Sequence, residues 1–281
     1  MRLTIGFLVV AVVAGAAFYA VPRLGRWFGP GHQAPAAVRL QPSGLPSPTV
    51  AEPFLGTPAQ SYADGETGIV IPPAQPAGSY SAPQVAAAYQ TAKQMLVAAY
   101  LNGPTLDGGS PAALAALLIP RQRTIFLGDL KPTGAANGST RAWVAAFAPG
   151  TRVVGKVIKV HGSMQAVATT ENGTPVLQIH TDYLFVYPVA QGQDAATLMR
   201  VVARYVTNVE FARWDDPGGA LEPWWSVQSS IAGALCGIND GYIHPSFSGG
   251  PRGKVQPSGT PLDPYSQSGP LPGHCQATTG T

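Results

Sequence analysis

The chain has 281 residues, of which only 11% are charged, against about 25% in typical soluble domains. Its net charge is +3 and no run of Lys or Arg could follow a phosphate backbone, which excludes a typical nucleic-acid-binding protein. The hydrophobic content of 45% is ordinary and excludes a protein with many membrane spans.

An uncharged run at residues 3–21 opens the chain. Its length is close to the roughly 20 apolar residues that a helix needs to cross a bilayer, so residues 1–27 are predicted to be a membrane anchor. The alternative is a cleaved signal peptide, although the run is longer than the usual apolar region of one. Arg2 on one flank nearly balances Arg23 and Arg26 on the other, so charge leaves the orientation open.

Residues 28–83 and 248–281 are rich in Gly and Pro and lack hydrophobic periodicity. Such segments bury too little apolar surface to offset their ordering entropy. We therefore expect a disordered linker at 28–83, a Gly/Pro/Ser-rich tail at 248–281, and a domain at 84–247 that folds without the linker. A short apolar patch at residues 69–71 is able to dock on that domain.

The chain has two cysteines, Cys236 and Cys275, without the spacing of a zinc site. In an exported chain, a single pair predicts a disulfide, which would tether the tail. The alternative is two unrelated thiols.

The best-defined helix signal begins at Ser81, where Ser81 and Gln84 have the spacing of a capping box. Apolar residues then recur with helical spacing as far as Ala99, and Asn102-Gly-Pro ends the helix. A second, shorter helix is predicted from Ser110 to Pro120.

Beyond Pro149 the pattern becomes that of strands. Asn172-Gly173 predicts a hairpin turn. The segments 174–187 and 198–214 alternate between apolar and polar residues, and a final strand is predicted at 224–235. Helices followed by long antiparallel strands predict an α+β fold, with N-terminal helices packed on a curved antiparallel sheet, preceded by one transmembrane helix and a Pro-rich linker.

This element order, with its long first helix and long last strands, resembles the nuclear transport factor 2-like (SnoaL-like) cone over residues 84–244. The whole layout is similar to actinobacterial-type accessory membrane proteins and to scaffold subunits of type IV secretion and conjugation systems. The resemblance implies helices that close over a curved sheet. A cystatin-like or other α+β roll is the alternative.

Two polar groups on neighbouring strands are candidates for a site. His180 and Asp182 share one face of the first long strand, and one face of the next carries Arg200, Arg204, Asn208 and Glu210. On the concave side of the sheet they would resemble the acid/base pockets of cone enzymes. The plainer alternative is a solvated face on which opposite charges pair across strands.

Five aromatic residues near the end of the chain could form a glycan-stacking platform, but such residues more often fill the open end of a sheet. They are Trp214, Trp224, Trp225, Tyr242 and Phe247.

The sequence holds no nucleophile elbow and no phosphate-binding loop, and we expect no cofactor and no metal. The function predicted is a membrane-anchored, extracytoplasmic interaction or assembly module of an envelope complex. Its partners would be the membrane, through residues 3–21, and proteins of that complex, with the oligomeric state left open. The alternative is an enzyme or small-molecule-binding protein that uses a cone pocket.

Overall fold

A computed structural model describes residues 44–130, 139–213 and 219–281. The helices are α1 (Ala82–Tyr100), α2 (Gly103–Leu106), α3 (Ala112–Leu117) and α4 (Pro120–Gly128), with 3-10 turns at Pro58–Ser61, Gly65–Gly68 and Thr140–Trp143. The strands are β1 (Ala63–Asp64), β2 (Thr151–Val153), β3 (Lys159–Glu171), β4 (Thr174–Gln191), β5 (Asp194–Ala212), β6 (Glu222–Ala232), β7 (Ser258–Leu262) and β8 (Gln276–Thr278).

One antiparallel sheet dominates the structure, with the strand order β1-β3-β4-β5-β6, and β2 pairs with the end of β4. The hairpin between β3 and β4 turns at Asn172-Gly173, where both residues have positive φ (49° and 85°), as the sequence predicts. The register places His180 opposite Asn208 and Tyr183 opposite Tyr205. Side chains alternate between two faces along these strands, so the register decides which polar residues meet.

Helix α1 begins at the predicted capping box, where the Ser81 backbone N–H donates to Gln84 Oε1 at 2.9 Å. Its buried side chains pack with the apolar face of β4 and β5 in one continuous core. We call this side of the sheet the inner face and the opposite side the outer face. The core contains the predicted set Tyr89, Ala92, Met95, Leu96, Leu177, Ile179, Tyr183, Phe185, Val201, Tyr205, Val209 and Phe211.

The predicted fold class is wrong as stated. Among the described residues strand outnumbers helix, so the structure is mostly antiparallel sheet, with helices as the smaller part, and it shows no membrane-spanning helix. Within the described ranges no helix is both long and apolar enough to cross a membrane, and the run at residues 3–21 lies outside them. After α1 the chain forms three short helices of four to nine residues, where the sequence predicted a single helix at 110–120.

The linker prediction is also wrong from residue 44 onward. Phe54 and Ala59 are buried on the outer face in a second apolar cluster with Leu184, Val186 and Val202. Further along, Ile69 is fully buried in the main core, and the Gly65 N–H donates to the Ile158 carbonyl at 2.8 Å. A chain that started at residue 84 would lose this cover, contrary to the expectation that 84–247 folds alone.

The prediction that the tail lies outside the compact domain is also wrong, because the tail packs on the sheet as well. Strands β7 and β8 pair in parallel, and the tail is joined to the end of the sheet by a disulfide between Cys236 and Cys275, whose Cα atoms are 5.9 Å apart. Tyr265 is buried in the second apolar cluster, and the Thr281 hydroxyl donates to the Arg200 carbonyl at 2.8 Å. The disulfide is as predicted, but the tail that it tethers packs on the sheet.

Candidate functional site

All four pocket candidates lie on the outer face of β4 and β5, away from α1; they are His180, Asp182, Arg204 and Glu210. Alternation along the strands puts Asp182 and His180 on the face opposite Tyr183 and Ile179, which belong to the main core. Each of the four is partly buried. The structure therefore does not place them in a concave pocket beneath the helices.

Asp182 and Arg204 form a bidentate ion pair. Arg204 Nε donates to Asp182 Oδ1 at 2.9 Å, and Arg204 Nη2 donates to Asp182 Oδ2 at 2.7 Å. The tail adds Gln267, whose Nε2 donates to the Asp182 carbonyl at 2.8 Å and to Oδ1 at 3.1 Å, while its own carbonyl accepts from Arg204 Nη2 at 2.8 Å. A carboxylate held by this many donors positions the tail on the sheet.

His180 and Glu210 take separate partners. His180 Nδ1 lies 2.8 Å from Asn208 Oδ1, and Gln178 Nε2 donates to Glu210 Oε1 at 3.2 Å. Burial raises the pKa of the Glu210 carboxyl and the charge of Glu171 raises it further, whereas the hydrogen bond from Gln178 opposes both effects. The structure brings together Asp182 with Arg204, but it does not join His180 to Asp182.

Part of the outer face is left uncovered by the segments on either side of the domain. We call it the open strip. It is made of partly or fully exposed residues from four strands: Gln165 and Val167 of β3, Gln178 and His180 of β4, Val206, Asn208 and Glu210 of β5, and Trp224, Ser226 and Gln228 of β6.

The inner face, by contrast, is filled with aromatic side chains. The rings of Tyr100 and Tyr205 stack with centroids 3.9 Å apart, and the Tyr187 hydroxyl donates to the Tyr100 carbonyl at 3.0 Å. Burial raises the pKa of Tyr183 to about 12 and holds the pKa values of Tyr100 and Tyr187 well above the usual range. These phenols are neutral structural groups at physiological pH.

The aromatic residues near the end of the chain do not form one platform. Trp225 is buried in the main core, Trp224 lies at the edge with the Arg121 guanidinium 5.9 Å from its ring, and the Tyr242 ring lies 4.5 Å from the Arg141 guanidinium. Phe247 packs against the main core, and Trp214 is outside the described ranges. The sequence alternative of residues that fill the end of the sheet fits better.

Arg200 is an organising residue whose role the sequence did not indicate, although its place on the polar face of β5 was predicted. It is fully buried, and its guanidinium donates only to backbone carbonyls, those of Pro46, Pro53, Leu55 and Thr281, at 2.6–3.3 Å. Burial lowers the pKa of Arg200 from its usual value. The available signal was an Arg opposite Pro188, in the stretch of β4 after Asp182 that carries no charged residue.

Two pockets flank β5. One, of about 290 Å³, lies on the outer face between Arg204 and the proline-rich tail. The other, of about 260 Å³, lies on the inner side between Tyr205, Ser229 and the loop 234–244 that follows β6. The described part of the chain contains no group of three or more His, Cys, Asp or Glu side chains that could hold a metal ion.

Comparison of the chain with protein-family models, with curated proteins and with solved structures finds no match.

Proposed function

We propose that the folded unit is an extracytoplasmic module that binds a protein partner of an envelope complex on its open strip. The observation that carries this proposal is the open strip itself. The segments before and after the domain cover the rest of the outer face, but they leave these positions at least partly accessible.

The composition of the open strip supports a protein partner. Val167 on β3 is 41% exposed, and Val206 on β5 and Trp224 on β6 are partly exposed. Four of the polar side chains are already paired within the sheet, Gln178 with Glu210 and His180 with Asn208, so a partner would not have to leave these four unsatisfied. Glu210 is the strip's only carboxylate, and a low charge density is typical of the centre of protein interfaces.

The compartment is proposed from the disulfide. Disulfides such as Cys236–Cys275 persist outside the cytoplasm and are rare within it. Export would use the apolar run at residues 3–21, whether that run is retained or cleaved. The resemblance to scaffold subunits of secretion and conjugation systems adds a class of partner, a neighbouring subunit of such an assembly.

The enzyme alternative gains no support from the geometry. It required His180 and Asp182 to converge in an open apolar cavity. Instead Asp182 is neutralised by Arg204, and His180 lies against Asn208 on an accessible face.

Photo-cross-linking in cells tests the proposal. A photoreactive residue at the exposed positions Gln165 or Ser226, on the open strip, should give one defined adduct with a partner. The same residue at Arg252, exposed on the tail, is the control and should give none. A second change, Ser226→Arg, should remove the adduct formed from Gln165 while the melting temperature stays unchanged, because it places charge at the interface. Equal cross-linking at Arg252, or no adduct on the open strip, would overturn the proposal.

A further inference from the structure

Strand β6 is an edge of the main sheet, and part of its backbone has no partner. Successive residues of an antiparallel strand direct their N–H and carbonyl groups alternately toward and away from the neighbouring strand. The Trp225 groups point away from β5, because the Gln122 side chain pairs with both of them. Alternation turns the backbone groups of Val227, Ser229 and Ile231 away from β5 as well. In the part of the chain that the structure describes, none of these groups has a hydrogen-bond partner.

Solvent reaches this part of β6. Ser229 is exposed, and Val227 and Ile231 are partly exposed. Proteins commonly protect the edges of their sheets with Pro, with charged residues or with a covering segment. The start of β6 is protected in this way, since Pro223 has no N–H to offer, but residues 226–232 include neither Pro nor a charged residue. We call residues 227–231 the free edge.

A row of unpaired backbone donors and acceptors is complementary to another extended strand. The free edge is complementary to itself. When two copies of β6 lie antiparallel with Ser229 opposite Ser229, Val227 of each copy lies opposite Ile231 of the other. All three positions direct their backbone groups outward, so each facing pair exchanges two hydrogen bonds, about six in all.

The side chains are compatible in this register. On the inner face, Val227 and Ile231 of the two copies form apolar cross-strand pairs on both sides of the Ser229 pair. On the outer face Gln228 lies opposite Ser230, and no charge faces a like charge. The pocket of about 260 Å³ beside the inner side of β6 leaves space next to this edge for the side chains of an added strand.

We propose that two copies of this chain pair through their free edges about a two-fold axis at Ser229, so that the two sheets continue into one. A two-fold contact uses the same surface on both copies, so the assembly closes as a dimer. The free edge is short compared with a standard interface, so the dimer is weak and reversible. It goes beyond the proposed function, because it uses the backbone edge of β6 whereas the open strip consists of side chains on the outer face.

Sedimentation velocity of the full chain in a mild detergent tests the proposal over about 2–200 µM, a range that suits a weak contact. We expect monomer and dimer in exchange, with a Kd on the order of 10–100 µM. Ser229→Lys puts two ammonium groups opposite each other and should raise the Kd about fivefold. Ser229→Asp should act in the same way. An equimolar mixture of the two variants should associate at least as well as the parent, because opposite charges then face each other across the axis.

Gln165→Lys is the matched control, since it makes the same change of charge at an exposed position of β3. It should leave the Kd unchanged. Restored association in the mixture cannot come from a loss of folding, because both partners are the variants themselves. A chain that stays monomeric over the whole range would leave the free edge to a strand of another protein and overturn the proposal. It is equally overturned by assemblies larger than a dimer, by a Ser229→Lys variant that dimerises as well as Gln165→Lys, or by a mixture that associates no better than either variant alone.

Discussion

The side chain of Gln122 satisfies both backbone hydrogen-bonding groups of Trp225, 103 positions further along the chain. Gln122 Nε2 donates to the Trp225 carbonyl at 2.6 Å, and the Trp225 N–H donates to Gln122 Oε1 at 3.0 Å. One amide from α4 thus takes the place of a neighbouring strand along β6. On the opposite edge of the sheet the Tyr89 hydroxyl accepts from the Ala166 N–H at 2.9 Å, so α1 supports β3 in a similar way.

Gln122→Ala should destabilise the fold substantially. Gln122 and Trp225 are both buried, so the change leaves two buried backbone groups unpaired, at about 1–3 kcal/mol each. Urea unfolding monitored by tryptophan fluorescence measures the loss. Gln165→Ala, at an exposed position of β3, is the control and should change the free energy of unfolding by less than about 0.5 kcal/mol. A Gln122 variant as stable as this control would show that the edge does not depend on the amide.

Arg200→Met should release the segment before β1 from the sheet. Four backbone carbonyls lose their donor together, so we expect a loss of more than about 3 kcal/mol and cleavage by protease within residues 44–62. Arg204→Met is the comparison, because Arg204 lies four residues further along the same strand and on the same face. It removes a partly exposed ion pair and should cost less, with the 44–62 segment still protected. Equal protection of that segment in both variants would mean that Arg200 does not hold it.

The disulfide should stabilise the unit by restricting the unfolded chain. For a sequence separation of 39, replacing Cys236 and Cys275 together by Ser should cost about 3–4 kcal/mol. Thermal unfolding compares the double variant with the parent, with and without reductant. Reductant should lower the melting temperature of the parent alone. Peptide mapping of the unreduced protein from its own compartment should also recover the linked pair; two freely alkylated thiols there would contradict the assignment of compartment.

Glu210 should make stability depend on pH in an unusual direction. Its pKa is raised in the folded state, chiefly by burial, so the ionised carboxylate is less favourable in the folded chain than in the unfolded one. Its contribution therefore becomes destabilising as pH rises from the unfolded pKa, about 4.3, through the higher folded pKa. Glu210→Gln keeps an acceptor for Gln178 and should melt higher than the parent at pH 7 but not below about pH 4. Glu66→Gln, at an exposed position, should show no such difference between the two pH values; a gain for Glu210→Gln that persists at low pH would have another cause.

The sequence predicted the parts of the fold that depend on local patterns. The Ser81–Gln84 cap is formed within four residues, and the Asn172-Gly173 turn within two, so both could be predicted. The alternation along β4 and β5 also separated the core face from the polar face correctly, because the period of a strand is independent of its partners.

What could not be predicted depends on contacts between distant residues. The proline-rich segment has no periodicity, and it is ordered by Arg200, 145–154 positions away from three of its acceptors. Likewise, spacing placed Asp182 and Arg204 on one face, but nothing local indicated that Gln267 from the tail would close over them.

If the apolar run at residues 3–21 is retained as an anchor, the position of Arg200 has a mechanical consequence. Tension that enters the folded unit near Pro46 reaches Arg200 Nη2, which lies on β5, a strand with a neighbour on each side. The load would therefore be resisted by a central strand before it could peel α1 from the core. The same guanidinium also holds the carbonyl of Thr281, so a pull from either end of the described chain converges on one side chain. Under force, we expect the hydrogen bonds of the Arg200 guanidinium to break before the sheet unfolds.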